Sequence, residues 1–266
     1  MSDASSRTLL VIAGLDPSGG AGLLADARVA WEHGLRVAGV ATVLTEQDSR
    51  GLRRAAPVSA DLVGAQLRAI AADVDIAAIK IGALGDEGVL RAVSAALEHT
   101  GAPLVWDPVM RASAGNPPLY AGHPRDALAA LAPRVSLITP NLGEAEALAD
   151  TADASRRPPD RDWGAAAGAA RALAAQVAAA LVKGGHRGGT RSPDVLARGD
   201  QIVTFDAPRV PGGEDVHGTG CALSTAIASQ LARGTALEAA VRAAKDFVAA
   251  RLTSPHRGGR GAASIA

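Results

Sequence analysis

Short runs of β-branched and aliphatic residues alternate with stretches of helical periodicity through the first two thirds of this 266-residue chain. An apolar strand, an amphipathic helix and another apolar strand bury one another best as a βαβ unit, with a parallel sheet between helix layers. The pattern predicts strands at residues 8–13, 37–44, 77–81, 104–107, 137–139 and 178–183. It predicts helices at 23–33, 60–71, 87–99, 124–132, 142–148 and 163–176. After Lys183 the pattern changes. Residues 194–198 and 201–205 flank Gly199-Asp200 as a hairpin would, and two helices follow at 220–233 and 236–252, so the sheet is expected to finish antiparallel. The expected class is α/β, with one domain over residues 1–266. Residues 151–162, rich in Arg, Pro and Asp, are expected to form a surface loop, and residues 254–266 a mobile tail.

Composition narrows the function. With 48% hydrophobic residues, a net charge of +0 and only three Trp, one Tyr and two Phe, the chain offers neither a basic surface nor stacking platforms, so no nucleic-acid partner is expected. The alanine-rich stretch 164–182 contains Arg171 and Gln176, which makes it a helix followed by a strand and not a membrane span. A single cysteine forms no internal disulfide, and the chain reads as cytoplasmic.

The motifs fall at strand ends, the edge where α/β sheets bind ligands. The run Asp215-Val216-His217-Gly218-Thr219-Gly220-Cys221 opens an apolar helix. Unsatisfied N–H groups and the positive end of the helix dipole make such a start an anion site. A thiol there is expected to ionise readily, so Cys221 is a candidate base for a substrate hydroxyl, and Gly218, Thr219 and Gly220 are candidate cradles for a transferring phosphoryl group. A buried filler cysteine and a plain helix entry remain the alternative. The glycine-rich 14–22 loop follows the first strand. Its Gly20-Ala21-Gly22 matches a dinucleotide fingerprint only weakly, because several residues separate it from the strand. Asp26 either faces a pocket or stabilises its helix end, and Gln47 offers a donor and an acceptor to a heteroaromatic ring or lies in a solvated loop. Asn141 and Glu144 read as a capping box or as Mg²⁺ holders, with Asp107 nearby as an organiser of the metal region or a turn aspartate. Lys183, before Gly184-Gly185, can reach nucleotide phosphates or lie in solvent. No Gly-x4-Gly-Lys-Ser/Thr sequence occurs, which argues against a P-loop enzyme.

Together, Ala13-Gly14-x-Asp16-Pro17-Ser18-Gly19-Gly20-Ala21-Gly22-x-x-Ala25-Asp26, Lys80-Ile81-Gly82, Asp107-Pro108-Val109-Met110, Thr139-Pro140-Asn141-x-x-Glu144, Lys183-Gly184-Gly185-His186 and His217-Gly218-Thr219-Gly220-Cys221 closely resemble the hydroxymethylpyrimidine/phosphomethylpyrimidine kinases of thiamine biosynthesis. The resemblance implies a ribokinase-like three-layer fold and two ATP- and Mg²⁺-dependent phosphorylations, of a pyrimidine alcohol and then of its monophosphate. It also implies a homodimer. Carried onto this chain, it puts Gly14, Asp26, Gln47 and Val109 around the pyrimidine, and Cys221 at the base position with Gly218, Thr219 and Gly220 as anion hole. It assigns Lys183, Asn141 and Thr219 to the nucleotide and Asn141, Glu144 and Asp107 to the metal. The chain departs from the family at Leu15, Asp48 and Val216, and has Ala83 where the family has methionine. The roomier pocket keeps the pyridine of vitamin B6 as an alternative substrate. A pyrimidine-binding sensor without turnover is the alternative from another class.

Overall fold

The computed structural model describes residues 7–111, 117–149, 164–185 and 189–265. Strands are β1 (Thr8–Leu15), β2 (Arg36–Asp48), β3 (Gly51–Pro57), β4 (Ile76–Ile81), β5 (Leu104–Trp106), β6 (Leu137–Ile138), β7 (Ala180–Val182), β8 (Asp194–Arg198) and β9 (Gln201–Phe205). Helices are α1 (Gly22–Glu32), α2 (Ala60–Asp73), α3 (Glu87–Ala96), α4 (Pro124–Leu131), α5 (Leu142–Ala149), α6 (Gly164–Ala174), α7 (Thr219–Ala232) and α8 (Leu237–Leu252). The strands form one sheet in the order β3-β2-β1-β4-β5-β6-β7-β8-β9. The six strands from β2 to β7 run parallel, while β3 and the β8–β9 hairpin run antiparallel at the two edges.

Alternation along each strand divides the core in two. Leu10 and Ile12 of β1 face a cluster built with α2 to α6, whereas Leu9, Val11 and Ala13 face one built with α1, α7 and α8. The result is the expected three-layer α/β/α sandwich with a mostly parallel sheet and an antiparallel end. Helix α7 is enclosed on nearly every side, packing against β1, β4, β5, α1 and α8. Its run of Ala, Ser and Thr suits that position, because small side chains let the backbone approach the sheet closely.

The predicted βαβ order holds throughout, and the structure corrects three boundaries. The strand expected at 37–44 continues to Asp48 and turns into β3, so the polar stretch 45–51 belongs to an edge hairpin and not to a free loop. Solvent-facing Arg53 and Arg54, with Pro57 at its end, suit β3 to an unprotected edge. The strand expected at 178–183 shortens to Ala180–Val182. The tail is also ordered: Ala263 and Ile265 are buried, and a strap from His256 to Ile265 lies across the sheet's carboxyl edge. The surface loop expected at 151–162 lies outside the described residues. No described helix is long and apolar enough to cross a membrane.

One buried ion pair ties the layers together. Lys80 at the end of β4 and Asp26 in α1 are both inaccessible to solvent and meet at 2.6 Å, while Thr225 of α7 donates to the other Asp26 oxygen at 2.7 Å. Burial works against the Lys80 charge, but Asp26, Cys221 and Asp107 outweigh it and hold the ammonium above the ordinary lysine range. Removing one partner of such a pair strands a charge in the core. Asp26→Asn is therefore expected to lower stability by about 3 to 5 kcal/mol, read as a reduced urea midpoint.

Candidate active site

At the switch point, the chain leaves β1 for β2 on one side and returns to β4 on the other, which opens a crevice at the carboxyl edge of the sheet. A cavity of about 930 Å³ fills that crevice. Gly14, Gln47, Asp107, Val109, Asn141, Glu144, Lys183, Gly218, Thr219, Gly220 and Cys221 all line it, so residues far apart in sequence converge on one cleft.

Helix α7 starts at the cleft with Gly218 as N-cap at φ 84, and no side chain caps it. A Cβ at Gly218 would overlap the Gly20 carbonyl oxygen, so both the left-handed backbone and the close approach require glycine. Among the described residues no acceptor meets the N–H groups of Thr219, Gly220 or Cys221. They form an open first turn suited to an anion. The Thr219 hydroxyl is turned back, donating to the Val216 carbonyl at 2.9 Å, so this residue offers its backbone to the cleft. Lys183 reaches the same spot, since a Cβ built on Gly220 would lie 3.1 Å from its Nζ. Its ammonium donates to Asp107 Oδ1 at 2.6 Å, and Thr139 donates to that oxygen at 3.2 Å. Burial opposes the Lys183 charge, but Asp107 and Glu144 prevail and hold the group above its ordinary range. Asp107 thus serves as the counter-ion of Lys183 through Oδ1, while Oδ2 has only the Ser224 hydroxyl at 3.4 Å.

The apolar half of the cleft lies under the glycine-rich loop. Ala83, Val43, Leu52 and Leu119 form a small cluster with Val109 packed against it, and Gly14 abuts Ala83 and Val43. Gln47 overlooks this pocket from the end of β2, with its amide nitrogen 3.0 Å from Asp16 Oδ2 and 2.9 Å from His217 Nε2. Asp26, expected around the substrate, instead sits behind the cleft wall in its pair with Lys80. A carboxylate one turn into α1 gains more from a buried ammonium than from a solvated pocket.

Asn141 and Glu144 form the reciprocal capping box. The Asn141 N–H donates to Glu144 Oε2 at 2.8 Å, and the Glu144 N–H donates to Asn141 Oδ1 at 2.9 Å. Burial pushes the Glu144 carboxyl up to about 7, with Lys183 opposing. No cluster of three His, Cys, Asp or Glu side chains suited to a metal occurs among the described residues. The oxygen donors present fit Mg²⁺ that arrives on nucleotide phosphates and keeps most of its waters, which needs only one or two protein carboxylates.

Cys221 opens onto the cleft, as expected of a base, but its ionisation runs against expectation. Burial pushes the thiol up to about 11, with Lys80 and a Gly22 N–H hydrogen bond opposing. Desolvation outweighs the helix dipole here because Asp26 and Asp107 add negative charge behind the sulfur.

Two features escaped the sequence reading. His217 and Asp16 stood in quoted motifs without a role, yet they meet at 3.1 Å beside Gln47. The C-terminal strap ties the site together through its backbone. His217 N–H donates to Ala263 O at 2.8 Å, Ile265 N–H to His217 O at 3.1 Å, and Ala262 N–H to Ser49 O at 2.8 Å. Contacts of this kind leave no side-chain pattern to read.

Known proteins place this architecture. A model of the phosphomethylpyrimidine kinase family matches residues 16–266. The chain belongs to that family. It is accordingly a kinase, a transferase on the ribokinase-like fold. The hydroxymethylpyrimidine/phosphomethylpyrimidine kinase of Rhizobium meliloti is 38% identical over 249 residues, covering 93% of this chain and 91% of that protein. Among solved structures, phosphomethylpyrimidine kinase from Clostridium difficile superposes with a TM-score of 0.76 at 26% identity, covering 92% of this chain and 99% of that one. Pyridoxal kinase from Staphylococcus aureus, in complex with AMP-PCP and pyridoxal, gives 0.85 at 26% identity, covering 98% and 93%.

Two outcomes follow for a kinase with this site. With the thiol at about 11, alkylation of Cys221 by iodoacetamide should accelerate roughly tenfold per pH unit between pH 7 and 10, as followed by intact mass. A side chain at Gly261 overlaps the Ser49 carbonyl, so Gly261→Val should free the strap and speed tryptic cleavage after Arg257 and Arg260 by about tenfold.

Proposed function

We propose that this kinase transfers the γ-phosphoryl group of ATP to the hydroxymethyl group of 4-amino-5-hydroxymethyl-2-methylpyrimidine, and then phosphorylates the monophosphate to the diphosphate. The observation that carries this reading is the convergence of Lys183, the open α7 start and Cys221 with the Gln47–Val109–Gly14 pocket in one cleft. The relative from Rhizobium meliloti is named for both activities.

In this reading the ring lies against Val109, Ala83 and Gly14, with Gln47 at its polar edge. Its hydroxymethyl oxygen then points at the start of α7. Lys183 and the N–H groups of Gly218 to Cys221 receive the charge that spreads over the migrating phosphoryl oxygens, and they need no reorganisation because Asp107 already fixes the lysine. Asn141 and Glu144 hold the side of the cleft where Mg²⁺ on the nucleotide phosphates would be met through water, and the ion would neutralise phosphate charge. The thiolate form of Cys221, the minor form at neutral pH, takes the hydroxyl proton in the first step. The second acceptor is already an anion and needs no base.

The finer readings rest on lesser support. The homodimer is supported by exposed Leu24, Trp31, Leu44 and Leu62 on α1, β2 and α2. A cytoplasmic setting is supported by the lone reduced thiol and by the use of ATP. The description of residues 1–266 as one kinase domain is supported by the single sheet. A second substrate, pyridoxal, is favoured by Ala83, which widens the ring pocket, and by the Staphylococcus aureus neighbour.

Product analysis by mass, after incubation with MgATP and the pyrimidine alcohol, its monophosphate or pyridoxal in turn, tests the reading. Mono- and diphosphate of the pyrimidine are expected, and phosphorylation of pyridoxal alone overturns it. Cys221→Ala should slow the alcohol step by about 10²-fold and the monophosphate step by far less, and equal losses would make the residue positional.

A further inference from the structure

The two glycines after Lys183 are held by charged side chains that the transfer step does not use. Asp194 opens β8 and Lys245 lies on α8; their side chains are 5% and 13% exposed and meet at 2.7 Å. Lys245 also donates to the Ser192 carbonyl at 2.7 Å, and the other Asp194 oxygen accepts the Gly184 N–H at 2.8 Å. A desolvated pair of this kind adds little net stability, which leaves its placement of Gly184 to be accounted for. Arg209, beyond β9, holds the next residue. Its guanidinium donates to the carbonyls of Gly185 at 2.5 Å, Gly189 at 3.0 Å and Arg191 at 3.4 Å, a spread of acceptors that suits a planar fork better than an ammonium. Between these anchors lies the Gly184–Gly185 peptide. Gly185 lines the cleft, and among the described residues no acceptor meets its N–H. A backbone donor left open in a cleft wall is satisfied by water or by a ligand.

We propose that the Gly185 N–H is a further donor to the nucleotide phosphates, and that Arg209 and Asp194 are the positioning residues that aim it. Lys183, two residues earlier, reaches the start of α7, and a polyphosphate whose terminal group meets that ammonium carries more anionic oxygens to the wall that Gly185 lines. A donor fixed before the anion arrives stabilises it without reorganisation. Two consecutive glycines would by themselves leave the peptide free to turn, so the anchors on both sides are what keep its N–H in place. The inference rests on the kinase reading above and deepens it at the nucleotide. It does not depend on which ring accepts the phosphoryl group.

The test separates phosphates from the rest of the nucleotide. Binding of ATP, ADP and adenosine to the full chain is measured by titration calorimetry in the presence of Mg²⁺. Gly185→Pro removes the N–H and should weaken ATP and ADP binding about tenfold, the scale of one hydrogen bond to a charged group, while adenosine binding moves by less than about twofold. Gly185→Ala keeps the N–H, and a Cβ there meets nothing within 4 Å, so it should recover most of that loss. Arg209→Gln releases the Gly185 carbonyl and should weaken ATP about fivefold, again with adenosine spared. Arg209→Lys keeps the charge without the fork and should be about as weak as Arg209→Gln. In a Gly185→Pro background, Arg209→Gln should change ATP binding no further. Should the proline variant not fold, the Arg209→Gln and Arg209→Lys pair carries the test, and full recovery by lysine overturns the clamp. Equal affinities of the proline and alanine variants, an adenosine loss as large as the ATP loss, or additive effects of Gly185 and Arg209 overturn the inference while the kinase reading stands. A wild type that binds ATP yet phosphorylates none of the pyrimidine alcohol, its monophosphate and pyridoxal overturns the kinase reading, and the binding series then decides this inference by itself.

Discussion

The start of α7 lies over two lysines that water hardly reaches, and the site is built around keeping those charges. Lys80 is inaccessible and Lys183 has 13% of its side chain exposed, so each needs a carboxylate within hydrogen-bond distance. Asp26 and Asp107 fill those places; Thr225 and Ser224 serve the remaining oxygens, and Thr139 joins Lys183 on Asp107 Oδ1. Positive charge is thereby fixed beside an uncapped helix end before any anion arrives. Electrostatic preorganisation of this kind favours phosphoryl transfer, where positioning and charge stabilisation dominate over covalent help. The same burial has a cost at Cys221. Its thiol stands among negative groups in a desolvated wall, which makes it a strong base when ionised and one seldom ionised at neutral pH.

The fold could be read from the chain because its signal is local. Apolar strands of fixed short length, separated by helical periods, specify βαβ units wherever they occur, and the Gly199-Asp200 turn placed the β8–β9 hairpin at its observed bounds. The misread segments were those whose structure depends on partners distant in sequence. Thr45 to Asp48 is polar because it runs beyond the core, and only pairing with β3 makes it a strand. The strap from His256 to Ile265 carries little periodicity. It is held by carbonyl and amide groups of Ser49 and His217, more than 30 residues away in sequence.

The site shows the same division. Gly218 to Cys221, Lys183 and the Asn141–Glu144 box carry local signatures, namely glycines before a helix, a lysine at a strand end and a cap sequence at its usual spacing. Asp26 looked equally suited to a pocket, and nothing in its own neighbourhood reveals the ammonium of Lys80, 54 residues away in sequence. The Cys221 pKa was misjudged for a related reason. A helix N-terminus is visible in sequence and lowers a thiol pKa, whereas the carboxylates behind the sulfur come from α1 and from the residue that follows β5.

Residue order alone determined the layer architecture, the succession of ligand-edge motifs and the chemical kind of each candidate group, since these follow from periodicities and spacings within about a dozen residues. Tertiary structure alone decided which carboxylates became counter-ions, how far each group was desolvated, and that Asp16, Gln47 and His217 meet on the cleft wall. Those outcomes depend on distances between chain segments and on the solvent excluded between them, which one-dimensional order does not encode locally.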